Sequence, residues 1–377
     1  MKFIHLSDLH IGKRVNEFSM LEEQEYILTQ IINIIDEEVP QAVVIAGDVY
    51  DKSVPPAEAV QLFDSFLSKL AKRNIHTFVI SGNHDSPERI AFGCNIMNNC
   101  GIYMSPVYNG FVQPISLKDN FGTVNFYMLP FIKPANVRRY YPESNINSYT
   151  DAVKVAIDNM NIDYNERNVI ITHQFVTGAI TCDSEEISVG GTDNVDSVVF
   201  NNFDYVALGH IHKPQTIGNE KIRYCGTPLK YSFSEAKHQK SVTVVQLREK
   251  GDLSIKEINL IPKNDLREIK GTYLELTAKA NYINTQTNDY MHITLTDEED
   301  IPDAIGKLRV IYPNLMKLDY DNKRTRSNNV ISKENHIESK SSIELLEEFY
   351  QIQNNQPLSP QQFDFAIKLM EEIWEEE

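Results

Sequence analysis

The sequence predicts an α/β (α+β) protein, and three observations carry that prediction. Strand-like runs at 2–7, 42–46 and 75–80 are each followed by a helical pattern, a succession of strand–loop–helix units. Each of these strands runs out into carboxylate, amide or imidazole groups, which packing alone does not require. Beyond residue 205 the helical patterns give way to β-like segments up to about residue 262, which predicts a second, antiparallel-leaning layer closing the first domain.

The elements follow in order. The first strand reaches Asp8-Leu9-His10, and alternation along an extended chain puts Asp8 and His10 on one side. Tyr26, Ile27, Ile31, Ile34 and Ile35 mark an amphipathic helix over 21–37. The second strand, 42–46, enters Gly47-Asp48-Val49-Tyr50-Asp51. Pro55-Pro56 opens a helix to about Lys72 whose stripe is Val60, Phe63, Phe66, Leu67 and Leu70. The third strand delivers Ser81-Gly82-Asn83-His84-Asp85, and Ser86-Pro87 starts a helix to about Asn99, with Asp85 a candidate cap. A helix near 149–160 precedes the strand 168–172, which delivers His173. The polar loop 177–196 is long enough to be functional. Strand 205–208 then ends in Gly209-His210-Ile211-His212.

At 377 residues and 41% apolar composition there is room for two or three domains. The expected division is 1–265 for the main domain, 266–322 for a small α+β capping domain, 323–340 for a polar linker and 341–377 for a helical segment. Four cysteines without CxxC spacing argue against a zinc ribbon or a disulfide framework, and buried reduced thiols are expected. No run of eighteen apolar residues occurs, and no cationic leader precedes the first strand, so a soluble, cytoplasmic protein with no membrane role is expected.

A net charge of −17 argues against a free-standing nucleic-acid-binding module, which needs a basic face, although the charge is unevenly spread and local basic groups could still meet a polyanion. From Ser342 on, nine acidic residues stand against the single Lys368. The same segment carries Leu345, Leu346, Phe349, Phe363, Phe365 and Trp374, more apolar surface than two isolated helices hide, which points to a partner groove or coiled coil. The basic pairs Lys13 with Arg14 and Arg138 with Arg139 are read as solvated charges, and His5, His76, His238 and His292 as structural or surface residues.

The candidates for chemistry are Asp8, His10, Asp48, Asn83, His173, His210 and His212. Two carboxylates, one amide and four imidazoles suit manganese, iron or zinc better than calcium or magnesium. A dinuclear site needs a bridging carboxylate, and Asp48, on a central strand end, is the natural choice.

Asp8-x-His10, Gly47-Asp48-x-x-Asp51, Gly82-Asn83-His84-Asp85, His173 and Gly209-His210-x-His212 stand in the order of the calcineurin-like metallophosphoesterases, which the sequence resembles. The resemblance implies a β-sandwich flanked by helices. It further implies one metal on Asp8, His10 and His212, a second on Asn83, His173 and His210, and Asp48 bridging both. Manganese is the implied ion. His84 is the implied proton donor to, or stabiliser of, the leaving oxygen, with Asp51 orienting it. More narrowly the sequence is similar to bacterial DNA-repair nuclease subunits, through Leu6 to Lys13 and Tyr224 to Phe233 as well. That implies cleavage of DNA ends, hairpins and single strands, and a location at the nucleoid. The implied partners are an ABC-type ATPase with a coiled coil, clasped by the tail, and a second copy of the chain within a heterotetramer. The alternative activity is hydrolysis of small phosphodiesters or nucleotides.

Overall fold

The computed structural model describes residues 1–185, 193–323, 325, 342–354 and 357–375. The expected linker 323–340 lies almost wholly outside them, as does the centre of the loop 177–196. The chain divides into two compact units, Met1–Leu266 and Arg267–Glu377.

The first unit is a sandwich of two six-stranded sheets. One sheet runs Leu253–Asn259, Ser241–Leu247, Lys2–Leu6, Ala42–Ala46, His76–Ile80, Ile102–Met104, and its last four strands are parallel. The other runs Gln215–Ile217, Asn219–Tyr224, Tyr205–Gly209, Arg167–His173, Gly122–Leu129, Pro114–Asp119. Its four central strands are also parallel and only its edges antiparallel, which corrects the expectation of an antiparallel-leaning second layer. Ala42–Ala46, Arg167–His173 and Tyr205–Gly209 are buried at every position. Covered on both faces, such strands read as continuous apolar runs and belong in parallel sheets. The Ser241–Leu247 hairpin joins the first sheet, beside Lys2–Leu6, rather than the second.

Between the sheets Phe3, Val44, Phe78, Phe126, Val169, Tyr205 and Val245 form one buried core. Phe78 and Phe126 stack at 4.4 Å across it, a contact worth about 0.5–1.5 kcal/mol beyond burial. The helices Leu21–Glu38 and Ala57–Ala71 bury Ile27, Ile31 and Ile35, and Phe63, Phe66 and Leu70, most of the stripes their spacing predicts, whereas Tyr26 and Val60, expected on the same stripes, are exposed. The helix expected from Pro87 to Asn99 is instead two short pieces, Pro87–Ile90 and Cys94–Met97, interrupted where Gly93 turns left-handed (φ 74°). Of the four cysteines, all free, only Cys225 is buried; Cys100 is exposed, against expectation.

The second unit has a three-stranded sheet, Leu266–Gly271, Tyr290–Leu295, Leu315–Tyr320, with a core of Met291, Ile293, Leu295, Leu308, Tyr312 and Leu315. Asp303 caps the helix Ala304–Arg309 by accepting the Gly306 amide. The helices Ser342–Asn354 and Pro360–Glu375 follow, the second opened by Ser359 and Gln362 exchanging cap bonds. Phe349 and Phe365 are exposed on them. Among the described residues no helix is long and apolar enough to cross a membrane.

Candidate metal centre

Five strand ends supply the candidate donors. Asp8 and His10 follow Lys2–Leu6, Asp48 follows Ala42–Ala46, and Asn83 and His84 follow His76–Ile80 in the first sheet. His173 ends Arg167–His173, and His210 and His212 follow Tyr205–Gly209 in the second. All are carboxyl ends of parallel strands, where α/β folds leave a crevice.

Alternation along a strand is not what aims Asp8 and His10, contrary to expectation. The strand stops at Leu6, and Asp8, His10, Asp48 and His210 all have positive φ, at 52°, 44°, 47° and 103°. Each such non-glycine residue costs on the order of 1–3 kcal/mol and persists only where neighbours fix it. Here the Asp8 and His10 amides donate to the carbonyls of Gly47 and Asp48, both at 3.0 Å. Two glycines allow the crowding: a Cβ on Gly82 would collide with the Asp48 carboxylate, and one on Gly209 with the Ala46 carbonyl.

The side chains converge tightly. Asn83 Oδ1 lies 2.8 Å from His173 Nε2 and 3.0 Å from His210 Nδ1. Asp48 Oδ2 lies 3.3 Å from His173 Nε2, 3.7 Å from His10 Nε2 and 4.0 Å from His84 Nε2. His10 and His212 face each other, Nε2 to Nε2, at 3.2 Å. Asp8, His10 and His212 form one group able to hold a metal ion, and Asp8, Asp48 and His173 another.

The surroundings set the protonation states. The His173 Nδ1–H donates to the Ala46 carbonyl at 2.9 Å, which turns its Nε2 toward Asp48 and Asn83. Burial alone would lower the His173 pKa, but the Asp48 carboxylate overrides it and pushes the imidazole up to about 9. Asp48 in turn is held well below the usual carboxylate range, burial being outweighed by His173, His10 and His84. Burial raises Asp8 to about 6 and lowers His210 to about 3 and His10 well below its ordinary value.

The donor set fits divalent cations. His10 Nδ1 and His210 Nε2 are buried without hydrogen-bond partners, and two carboxylates, an amide oxygen and four imidazoles converge within reach of one another, a donor set that divalent transition metals take.

His84 stands beside this group, its ring 4.9 Å from that of His10 and nearly perpendicular. Its Nδ1–H donates to the main-chain carbonyl of Asp51 at 3.0 Å, and its backbone amide to Asp48 Oδ1 at 2.9 Å. Asp51 thus reaches His84 through its carbonyl. Its carboxylate pairs with Lys13 at 2.7 Å, so Lys13 is not a solvated charge.

Asp85 does not cap the next helix; Ser86 does, accepting the Arg89 amide. Asp85 is buried and accepts the amides of Gly82, Val49 and Tyr50 at 2.9–3.1 Å, tying the Asn83 loop to the Asp48 loop.

Sequence reading missed a further group. His212 Nδ1–H donates to Ser184 Oγ at 2.7 Å, and that hydroxyl donates to Glu235 at 2.6 Å. Glu235 is fully buried and paired with the buried Lys240, which also donates to the His212 carbonyl at 2.8 Å. Tyr231 OH and Gln24 Nε2 hold the carbonyls of Leu9 and His10 at 2.6 and 2.7 Å.

Residues 1–214 match the calcineurin-like phosphoesterase family, and residues 262–354 match the type 5 capsule protein repressor C-terminal domain. A relative from Staphylococcus epidermidis, the D subunit of nuclease SbcCD, is 34% identical over 386 residues, covering 100% of both chains. Solved structures that resemble the fold include a dimetal phosphatase from Danio rerio (11% identity, 69% of this chain and 96% of that one, TM-score 0.41). Another is the phosphoesterase Yfce from E. coli (13% identity, 69% and 100%, TM-score 0.28).

Proposed function

This chain belongs to the calcineurin-like phosphoesterases, and from that premise we propose that it is the metal-dependent nuclease subunit of an SbcCD-type complex, hydrolysing phosphodiester bonds in DNA. The full-length similarity to the D subunit of an SbcCD nuclease carries the reading, since both the phosphoesterase domain and the C-terminal region align.

Asp8, His10 and His212 would hold one divalent ion, Asn83, His173 and His210 a second, and Asp48 would bridge them. Manganese is the proposed ion, because mixed oxygen and imidazole donors favour the borderline transition metals over calcium or magnesium. When bound, such a pair of ions supplies Lewis acidity toward water and the phosphate oxygens. The protein's own part follows from its hydrogen bonds. With Nδ1–H committed to the Asp51 carbonyl, a protonated His84 presents Nε2–H to the site and donates that proton to the leaving oxygen. Asp85 holds the two loops that carry Asp48 and Asn83 in register, and Ser184 and Glu235 fix the His212 tautomer so that Nε2 faces the site.

The proposed division of labour is 1–265 for cleavage, 266–322 for a capping domain and 341–377 for docking to the coiled coil of an SbcC-like ATPase. Exposed Phe349 and Phe365 on acidic helices support the docking role. Exonuclease action on DNA ends, endonuclease action on hairpins and single strands, a homodimer within a heterotetramer, and a cytoplasmic, nucleoid-associated location complete the proposal.

Mn²⁺-dependent cleavage of a DNA hairpin, compared between the wild type, His84→Ala and Asp48→Ala, tests it. The wild type should cut and both variants should lose activity; undiminished cleavage by either variant would remove that residue from the mechanism. Hydrolysis of bis-p-nitrophenyl phosphate without competition by hairpin DNA would redirect the assignment to small diesters.

A further inference from the structure

We propose that a cavity beside the metal centre holds one unpaired nucleobase of the DNA strand being cut, which places the scissile phosphate next to it. The cavity, of about 450 Å³, opens between the segment around Asn98, the loop after Met104 and the strand end Met128–Pro130. That volume lies within the range of sites that bury small organic groups.

Residues that adjoin its lining, Ser105 after Met104 and Phe131 after Pro130, tie it to the strand that delivers Asn83 and His84. The Ser105 amide bonds Val79, on the strand that delivers Asn83 and His84. Phe131, one residue past Pro130, donates its amide to Ser81 at 2.9 Å and sets its ring edge-on to His173, centroids 6.3 Å apart.

Chemistry selects the occupant. No charged side chain lines the cavity among the described residues, although the chain as a whole carries −17. A phosphate or a cation therefore finds no counter-charge there. What the cavity offers is a neutral lining that mixes an aromatic ring with amides and apolar groups. Phe111, 38% exposed, supplies an open ring face, and the loop that carries it is fixed by Tyr141 OH donating to the Gly110 carbonyl at 2.5 Å. Asn98 and Gln113 bring amides, each both donor and acceptor, to the lining. Tyr108, only 8% exposed, lines the same cavity with a buried hydroxyl that has no hydrogen-bond partner. A nucleobase satisfies all of these at once: it stacks on an aromatic face and gives its edge to amides and hydroxyl. Because amides adapt to any base edge, the site tolerates sequence, and because the base must leave its stack, it favours hairpin loops, frayed ends and single strands.

The inference rests on the nuclease reading, and its test keeps the two apart. With EDTA present, full-length protein is mixed with single-stranded oligonucleotides carrying 2-aminopurine at successive positions. Affinity and Mn²⁺-dependent cleavage are then measured for the wild type, Phe111→Ala and Gln113→Ala. One position should be quenched by stacking, and Phe111→Ala should abolish the quenching and weaken binding about tenfold, within the range of losing one base–aromatic stack. Its KM for DNA should rise in step, with Gln113→Ala showing a smaller rise, while the Mn²⁺-induced rise in thermal midpoint, which reports the fold and the metal centre, stays at the wild-type value. An abasic residue at the quenched position should mimic Phe111→Ala. Equal DNA affinity and KM in the wild type and Phe111→Ala would overturn the base site. A wild type that turns over the small diester yet neither binds nor cuts DNA would overturn the nuclease reading itself, and the base site with it.

Discussion

His10 and His212 meet nitrogen to nitrogen, their Nε2 atoms 3.2 Å apart in a buried site. Without a cation one neutral ring must carry its proton on Nε2 and donate it to the other. A divalent ion held by both rings together with Asp8 would take that proton's place. Mn²⁺ added to chelator-treated protein should therefore stabilise the fold by about 2.7 kcal/mol at a hundredfold excess over Kd, and raise the thermal midpoint accordingly. His10→Ala should lose most of that gain. Thermal scans with and without metal check this, and a wild type insensitive to Mn²⁺ would contradict it.

His84 should separate binding from chemistry. Its side chain is the one whose Nδ1 is committed to the Asp51 carbonyl, outside both proposed metal triads. His84→Ala should lower kcat on DNA by about 10²–10⁴-fold, the usual worth of a positioned acid, and leave the Mn²⁺-induced stabilisation intact. A loss of metal stabilisation in this variant would make His84 a ligand.

Much of this site was readable in advance because each donor lies within four residues of a strand end, so short motifs such as Asp8-x-His10 stay intact along the chain. The convergence of sheets was less readable. The Arg167–His173 strand shows its neighbours only through burial on both faces, and the sequence pattern past residue 205 does not reveal that its last hairpin crosses to the first sheet. Glu235 and Lys240 were invisible for another reason: a buried ion pair looks like two surface charges until the fold encloses it. Asp85 was misread because a carboxylate before Ser-Pro resembles a cap, whereas its three amide partners come from the Asn83 loop itself and from the Asp48 loop, more than thirty residues earlier.

Arg167 predicts a pH dependence. Its guanidinium grips Asp119 at 3.1 and 2.5 Å and also donates to the Leu247 carbonyl at 3.0 Å, joining the second sheet to the first. Burial alone would raise the Asp119 pKa, but the Arg167 bonds hold it well below the usual carboxylate range. A depressed folded pKa means a contribution fully present above the unfolded value, near pH 4, and lost as pH falls toward the folded one. Asp119→Asn should cost about 3 kcal/mol at pH 7, and the difference from wild type should shrink below about pH 4. Urea midpoints between pH 3 and 7 measure it; a gap that widens on acidification would reverse the assignment.

Lys240 should act on the metal through Glu235 and His212. Burial alone would raise the Glu235 pKa, but Lys240 first and then His212 hold it well below its ordinary value. Lys240→Met would leave that carboxylate buried without its cation and slacken the Ser184 bridge to His212 Nδ1. Partners of this kind typically carry 10–100-fold of metal affinity, so calorimetric Mn²⁺ affinity should fall by about that factor while kcat at saturating metal changes less. Unaltered affinity would confine the pair to folding.

The tail should be separable from the chemistry. Phe349 and Phe365 are 61% and 66% exposed on the terminal helices, and exposed aromatic rings on acidic helices suit a partner's groove more than solvent. Phe349→Asp with Phe365→Asp adds charge where an apolar groove would close, so co-purification with a coiled-coil ATPase should drop at least tenfold, a penalty of about 1.4 kcal/mol or more. Mn²⁺-dependent turnover of bis-p-nitrophenyl phosphate should be unchanged, because neither ring belongs to the Met1–Leu266 unit that carries the metal centre. Retained association would assign these rings to some other face, and lost diesterase activity would show that the second unit is required for the first to work.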